Sequence, residues 1–418
     1  MINFLADYFH HPFKLTANEQ AYIASADYKI NYSHTRISDD ELYINPHALL
    51  FESEKRKVKA ECFEYNGHTV FFAASGDLHF DLFAGIFFLL SRYEEYLPHE
   101  KDQYGRFSHK SSVAFQEGFL DKPLINIWLD DFKQLLEKRF RGLELFTHQF
   151  RFIPTYDIDI AWSYRNKGFK RNFWPLVRDI FEGRWRQANE RIKVLKGKLP
   201  DPYDSFEWID LLHQQYNLTP VYFFLVAREA GVYDKNISID NPEFQALIQS
   251  IAQKYPLGLH PSWASGDERS LFPKERKWLE KLTHRNIIAS RQHYLRFMLP
   301  YTYQFLMGQG ISHEYSMGYG TVNGFRASIA SPFYWYDLQK EESTNLLVYP
   351  FCFMDANAYF EEERTPAEAL EELLHYYNSV KSVNGTLITL WHNQFLGTGK
   401  EFEGWRQTYE QFVAAVAK

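Results

Sequence analysis

Cysteine is scarce in this chain: two in 418 residues, Cys62 and Cys352, far apart in sequence. That excludes a disulfide framework and a paired-cysteine metal knuckle. Long hydrophobic runs are missing; the most apolar stretch, 82–90, is about half of the ~20 residues a membrane-spanning helix needs. Positive charge is not in excess. The 46 Lys and Arg against 53 Asp and Glu leave a net charge of -7, which argues against a general nucleic-acid binder. The start, Met1-Ile2-Asn3-Phe4-Leu5-Ala6-Asp7, has no basic segment followed by an apolar one, so no signal peptide is read and a cytoplasmic location is expected. No low-complexity tract or short-period repeat occurs. What the chain has in plenty is aromatic residues, 37 Phe, 28 Tyr and 10 Trp, enough for a large buried core.

Two textures divide the sequence. Residues 1–148 read as an α+β domain: short strand-like runs at 41–44 and 69–72, then helices near 82–94 and 124–140. From 149 to 418, apolar runs alternate with helical patterns, which signals βα units around a parallel sheet. Phe244, Leu247, Ile248 and Ile251 mark one helix face. Thr365 caps another helix, with Pro366 as its first residue. Strands are expected at 221–226, 257–259, 286–289, 345–348 and 386–390.

Polar side chains follow these strands: Asp157 and Asp159, then His260, Arg291 with His293, Asp355, and His392. In an α/β barrel the C-terminal strand edge carries the chemistry. Each residue alone could merely cap a helix or satisfy a loop, but a series in register points to a site. Asp157 and Asp159 are two apart on a strand end and so face the same side. One can hold a metal while the other removes a proton. His260 suits a metal ligand, and His392 suits a general acid.

The phrases Thr155-Tyr156-Asp157-Ile158-Asp159, Leu259-His260-Pro261-Ser262, Gly324-Phe325-Arg326-Ala327 and Leu390-Trp391-His392 resemble the polysaccharide deacetylase family (carbohydrate esterase family four, NodB-like). With Leu89-Leu90-Ser91-Arg92-Tyr93-Glu94-Glu95-Tyr96 and Ser290-Arg291-Gln292-His293-Tyr294, the chain resembles the bacterial, Bacteroidetes-type variant that carries an extra N-terminal domain. The resemblance implies a distorted (β/α) barrel of about seven strands preceded by a smaller α+β domain. It also implies a divalent metal such as zinc, and hydrolysis of an acetyl group from an N-acetylated or O-acetylated carbohydrate. Carried over residue by residue, Asp157 is the catalytic base, Arg326 the arginine that holds it, and His392 the acid. Asp159 and His260 are metal ligands. The second metal histidine of the family falls at Ala264. His293, just past the next strand, is the candidate replacement, with Glu314 or Asp355 expected to hold the ligand histidines from behind. Arg291, Glu314, Asp355 and Trp263 are candidate substrate contacts.

Ala264 keeps an alternative open, a non-catalytic carbohydrate-binding or scaffold protein that has lost its metal. A basic stretch, 165–198, holds eleven Lys or Arg and three Asp or Glu. It reads either as a surface for an anionic polymer or lipid headgroups, or as a solvated insertion packed on the barrel through Phe173, Trp174, Leu176, Val177, Ile180 and Phe181; the second is the expectation. The sugar, its linkage and the oligomeric state are not encoded in any motif.

Overall fold

A computed structural model describes residues 1–417. Nine strands form one sheet: β1 (Arg151–Ile158), β2 (Val221–Leu225), β3 (Leu257–His260), β4 (Ala289–Ser290), β5 (His313–Glu314), β6 (Phe333–Asp337), β7 (Glu342–Val348), β8 (Phe353–Met354) and β9 (Thr386–His392). Their order is β6-β7-β5-β4-β3-β2-β1-β9-β8. Every neighbouring pair is parallel except the β6–β7 hairpin. The parallel part thus has eight strands where about seven are expected, and the ladder stays open between β6 and β8. The chain leaving β7 runs from the β5 side, where Tyr349 N–H donates to Glu314 O, to the β9 side, where Phe353 pairs with Thr389.

Local signals explain the connecting helices. Asn241 caps the helix Pro242–Lys254, accepting from the N–H groups of Glu243 and Phe244. Thr365 and Glu368 cap Pro366–Ser382 reciprocally. The aromatic run at 333–336 is an edge strand, with Trp335 buried and Tyr334 exposed. Gly258 has a packing role: a Cβ there would collide with the ring of Phe223, so glycine lets β2 seat that ring against the strand carrying His260.

The N-terminal part has only short strands, Ile30–Tyr32 with Leu42–Ile44 and Phe63–Tyr65 with His68–Val70, around the helices Leu82–Leu90 and Leu124–Arg139. It does not stand apart: one hydrophobic core runs from Leu5 to Val416. A buried ion network crosses the junction. Glu95 accepts from both Arg326 Nη2 at 2.7 Å and Arg92 Nε at 2.8 Å, and Arg92 also reaches Glu94 at 2.8 Å. Burial pushes the Glu95 carboxyl up, but the charges of Arg326 and Arg92 outweigh it and hold it at about 2. Arg326 is therefore not the arginine that holds Asp157; its guanidinium is committed to Glu95 and to the Gly318 carbonyl.

The basic stretch forms two helices, Gly168–Phe181 and Trp185–Leu195. The expected packing on the sheet fails there. Trp174 is 68% exposed and Phe181 87%, while the buried residues of the first helix are Asn172 and Asp179. Among the described residues no helix is long and apolar enough to cross a membrane.

Removing one partner from a buried ion pair leaves an uncompensated charge, which costs about 3–5 kcal/mol. Arg326→Ala should destabilise the whole chain by an amount near the lower end, because Arg92 still holds Glu95; urea denaturation measures it. Glu95 is ionised in the fold down to about pH 2 against an ordinary value of 4.5. Its contribution should be full above pH 4.5 and be lost as pH falls towards 2, and Glu95→Gln should flatten that acid limb.

Candidate active site

The strand ends bring Asp157, Asp159, His260, His293 and His392 to one cavity of about 290 Å³. Asp157 is buried as the penultimate residue of β1 and pairs in register with His392 of β9. Asp159 follows one residue past β1, with 21% of its side chain exposed. His260 closes β3, and His293 stands in the turn after β4.

Arg291 supplies the grip on Asp157. It is fully buried, and its guanidinium donates to Asp157 Oδ1 at 2.9 Å, Thr155 Oγ1 at 2.8 Å and the Tyr315 carbonyl at 3.0 Å. The same group lies over the Phe223 ring, 4.5 Å from its centroid. Its own carbonyl accepts from His260 Nδ1 at 2.6 Å. A carbonyl only accepts, so His260 carries its proton on Nδ1 and turns Nε2 to the cavity.

The other two imidazoles are held in the same sense. His293 Nδ1 is 3.0 Å from Asp234 Oδ1, and His392 Nδ1 is 2.6 Å from Asp355 Oδ1. All three Nε2 atoms converge on Asp159, at 3.1 Å for His260, 3.5 Å for His293 and 3.6 Å for His392. Asp159 Oδ1 is buried and accepts no aligned hydrogen bond. Burial raises the Asp159 carboxyl, but His293 and His260 outweigh it and hold it well below the usual carboxylate range. Burial lowers the His293 and His392 imidazoles; Asp159 and Asp234 lift the first to about 9, and Asp355, Asp159 and Asp157 lift the second to about 9.

One carboxylate and two imidazoles, with ligand atoms within 4.8 Å of one another, fit a divalent cation. An orphaned carboxylate oxygen facing an imidazole lone pair is repulsive unless a proton or cation lies between them. The backing acceptors are the Arg291 carbonyl and Asp234, not Glu314 or Asp355. Ala264 takes part through its backbone: the N–H groups of Trp263 and Ala264 donate to Asp234 at 2.7 and 3.3 Å.

The four candidate substrate contacts do not line the cavity. Arg291 is buried beneath Asp157. Glu314 is buried and accepts from Tyr303 Oη at 2.8 Å and Ser316 N–H at 2.9 Å. Asp355 is spent on His392, accepting from both its ring and its backbone N–H. Trp263 stacks on Tyr233 at 4.0 Å, and the Arg296 guanidinium lies over the Trp263 ring, 4.3 Å from its centroid. The walls come instead from Tyr294, Phe360 and Gln394, and from Tyr104 and Arg106 of the N-terminal part. A larger cavity of about 1070 Å³ lies at the opposite strand ends, near Arg151, Val221 and Thr386, and contains none of the clustered acids or histidines.

Asp234 was missed in the sequence because it comes nine residues after β2; the rule that found the others, a polar group soon after a strand, would reach it only with a longer window. Arg106 stood out in the sequence only within the phrase Gly105-Arg106-Phe107, which resembles the same deacetylase variant, and not as a site residue. It donates to the Tyr294 carbonyl at 2.6 Å. Tyr294 and Leu295 both adopt left-handed backbone, φ 56° and 51°, a strained pair for side-chain-bearing residues. Arg106 thus clamps the turn that presents His293.

A model of a family of unknown function (DUF7033) matches residues 1–141. No curated protein matches the chain by sequence. Among solved structures, the fold is similar to a polysaccharide deacetylase from Mycobacterium smegmatis, with 14% identity over 65% of this chain and 85% of that one and a TM-score of 0.41. It is similar to the Puue allantoinase, with 10% identity over 66% and 85% and a TM-score of 0.41. It is also similar to a polysaccharide deacetylase from Bacillus cereus, with 8% identity over 63% and 87% and a TM-score of 0.30. These are weak likenesses of fold, and the chemistry rests on the side chains.

A metal needs neutral imidazoles, and His293 keeps its proton up to about pH 9 in the metal-free chain. Zinc binding at pH 7 should release about one proton and tighten as pH rises towards 9; calorimetry in buffers of different ionisation enthalpy reads both. Loss of a group behind a ligand costs about 10–100-fold in metal affinity. Asp234→Asn should fall in that range, and Arg106→Ala should weaken binding in the same direction. Competition with a chelating dye measures each.

Proposed function

We propose that this chain is a metal-dependent hydrolase that removes an acetyl group from an N-acetylated or O-acetylated carbohydrate. The observation that carries the reading is the juxtaposition, in one cavity, of a cluster of three possible ligands with the Asp157 carboxylate and the His392 imidazole. A pure binding protein has no need of an oriented acid and base beside such a cluster. The resemblance of the Asp157, Asp159, His260 and His392 phrases to the deacetylases supports the same reading, as does the large parallel sheet, whose two ends are bridged by residues 349–352 in the manner of a distorted barrel. The feature favouring a non-catalytic reading was Ala264, and His293 supplies the imidazole that position lacks.

Asp159, His260 and His293 would hold the cation, and zinc fits a carboxylate with two imidazoles. Bound there, it would polarise the acetyl carbonyl and make a water molecule more acidic. Asp157 is placed to take the proton from the attacking water, because Arg291 fixes Oδ1 and leaves Oδ2 facing the cavity, 3.7 Å from His260 Nε2. His392 stands across from it with Nδ1 anchored, so only Nε2 can move a proton. In the metal-free chain Asp355, Asp159 and Asp157 raise it to about 9; a proton held on Nε2 would be delivered to the departing amine or alcohol. Tyr104, Tyr294 and Phe360 would pack on the sugar, and the small cavity suits one sugar unit with its acetyl group.

Acetate release from N-acetylated and O-acetylated oligosaccharides by the zinc-loaded protein tests the reading. Asp157→Asn should lower kcat by about 10²–10⁴-fold with zinc still bound, as removal of a general base does. His392→Gln should do the same and remove the alkaline limb of the rate profile. A zinc-loaded protein that releases no acetate, or Asp157→Asn with unchanged kcat, would contradict it.

A further inference from the structure

We propose that the helical hairpin after β1 is a docking surface for an anionic lipid bilayer, seating the active site at a membrane face. The hairpin comprises Gly168–Phe181 and Trp185–Leu195. Its amphipathicity is inverted relative to a helix packed on a core. At 100° per residue, Phe169, Ile180, Phe173, Val177, Phe181 and Trp174 span an arc of about 140°. Most of that arc faces water, with Phe169 77% and Phe181 87% exposed. The inward positions are the polar ones. Asp179 is buried and accepts from Arg184 at 2.7 Å and Arg191 at 2.9 Å, which ties the two helices together. Asn172 donates to the Tyr164 and Gly168 carbonyls. Trp185 extends the aromatic surface onto the second helix, 65% exposed.

An arc of this kind is costly to leave in water, at about 25 cal/mol per Å² of apolar area. Looseness does not account for its exposure, because the base of the hairpin is pinned. Asp201 accepts from the backbone N–H groups of Ser163, Tyr164 and Arg165 at 2.8, 2.8 and 2.9 Å, and Asn393 donates to the Ile160 and Ala161 carbonyls.

Charge identifies the occupant. Residues 165–198 carry an excess of eight positive charges in a chain whose net charge is -7. Lys170, Arg178 and Arg186 are exposed and, among the described residues, make no side-chain ion pair. Exposed Trp and Phe rimmed by Lys and Arg match the interface of an anionic bilayer, where rings sit at the headgroup level and bases meet lipid phosphate. The first helix, 14 residues, is about 21 Å long; it lies on such a surface and does not span it. The hairpin leaves the sheet from the same strand end as Asp157 and Asp159, so docking would bring the cavity mouth to the lipid headgroup zone.

Sedimentation of the full chain with vesicles tests this, using phosphatidylcholine alone against phosphatidylcholine with about a third phosphatidylglycerol at ~0.1 M salt. Wild type should bind the anionic vesicles and not the neutral ones. Lys170→Glu with Arg178→Glu and Arg186→Glu should weaken binding by at least about tenfold. Trp174→Ser with Phe181→Ser and Trp185→Ser should abolish it and remove the tryptophan blue shift on binding. Circular dichroism and zinc affinity should be unchanged in both variants, and the charge-reversed variant keeps the test valid should the serine variant not fold. Wild type left in the supernatant, equal binding by the variants, or an aromatic patch consumed by self-association without vesicle binding would each overturn the proposal.

Discussion

The buried guanidinium of Arg291 is the contact on which the site depends. Three of its N–H groups hold Asp157, Thr155 and the Tyr315 carbonyl across the strand ends, and its own carbonyl fixes the tautomer of His260. Two residues on, the same turn presents His293. One residue therefore positions Asp157 and His260 directly and His293 through the chain. Burying a charge this deeply is unfavourable unless it is paired and fully hydrogen-bonded. The arrangement offsets that cost with one carboxylate, one hydroxyl, one carbonyl and an aromatic face.

The same logic governs the junction with the N-terminal part. Arg92 and Arg326 share Glu95 in the interior, and Arg106 reaches over to the turn carrying His293. Tyr104 and Arg106 also form part of the cavity wall. The N-terminal residues are thereby structural to the site: they complete its wall and brace a strained backbone. A ligand set that resembles a known pattern but moves one histidine to the next strand needs such bracing, because His293 sits on a left-handed turn and not at a strand end.

Much of this was legible in the sequence. The helix start at Thr365 follows from capping chemistry, the helix through Phe244 and Ile251 from its apolar face, and the strands from apolar runs. The convergence of Asp159, His260 and His293 follows from neighbouring strands ending on one edge. What sequence could not give is pairing between distant buried charges. Arg326 and Arg291 both read as active-site arginines; which one meets Asp157 depends on Glu95, more than 200 residues from Arg326. Burial likewise decided against Glu314 and Asp355 as substrate contacts. In the basic hairpin the apolar periodicity was correctly helical, but periodicity gives a face and not what the face meets; the inward side proved to be Asn172 and Asp179.

The central claim is that Asp159, His260 and His293 together hold one divalent cation. X-ray absorption spectroscopy of the zinc-reconstituted protein tests it most directly. The account predicts a four-coordinate site with two imidazole nitrogens at about 2.0–2.1 Å and oxygen in the remaining positions, reduced to one imidazole in His293→Ala. A wild-type spectrum with one imidazole or none, or one unchanged by His293→Ala, would contradict it.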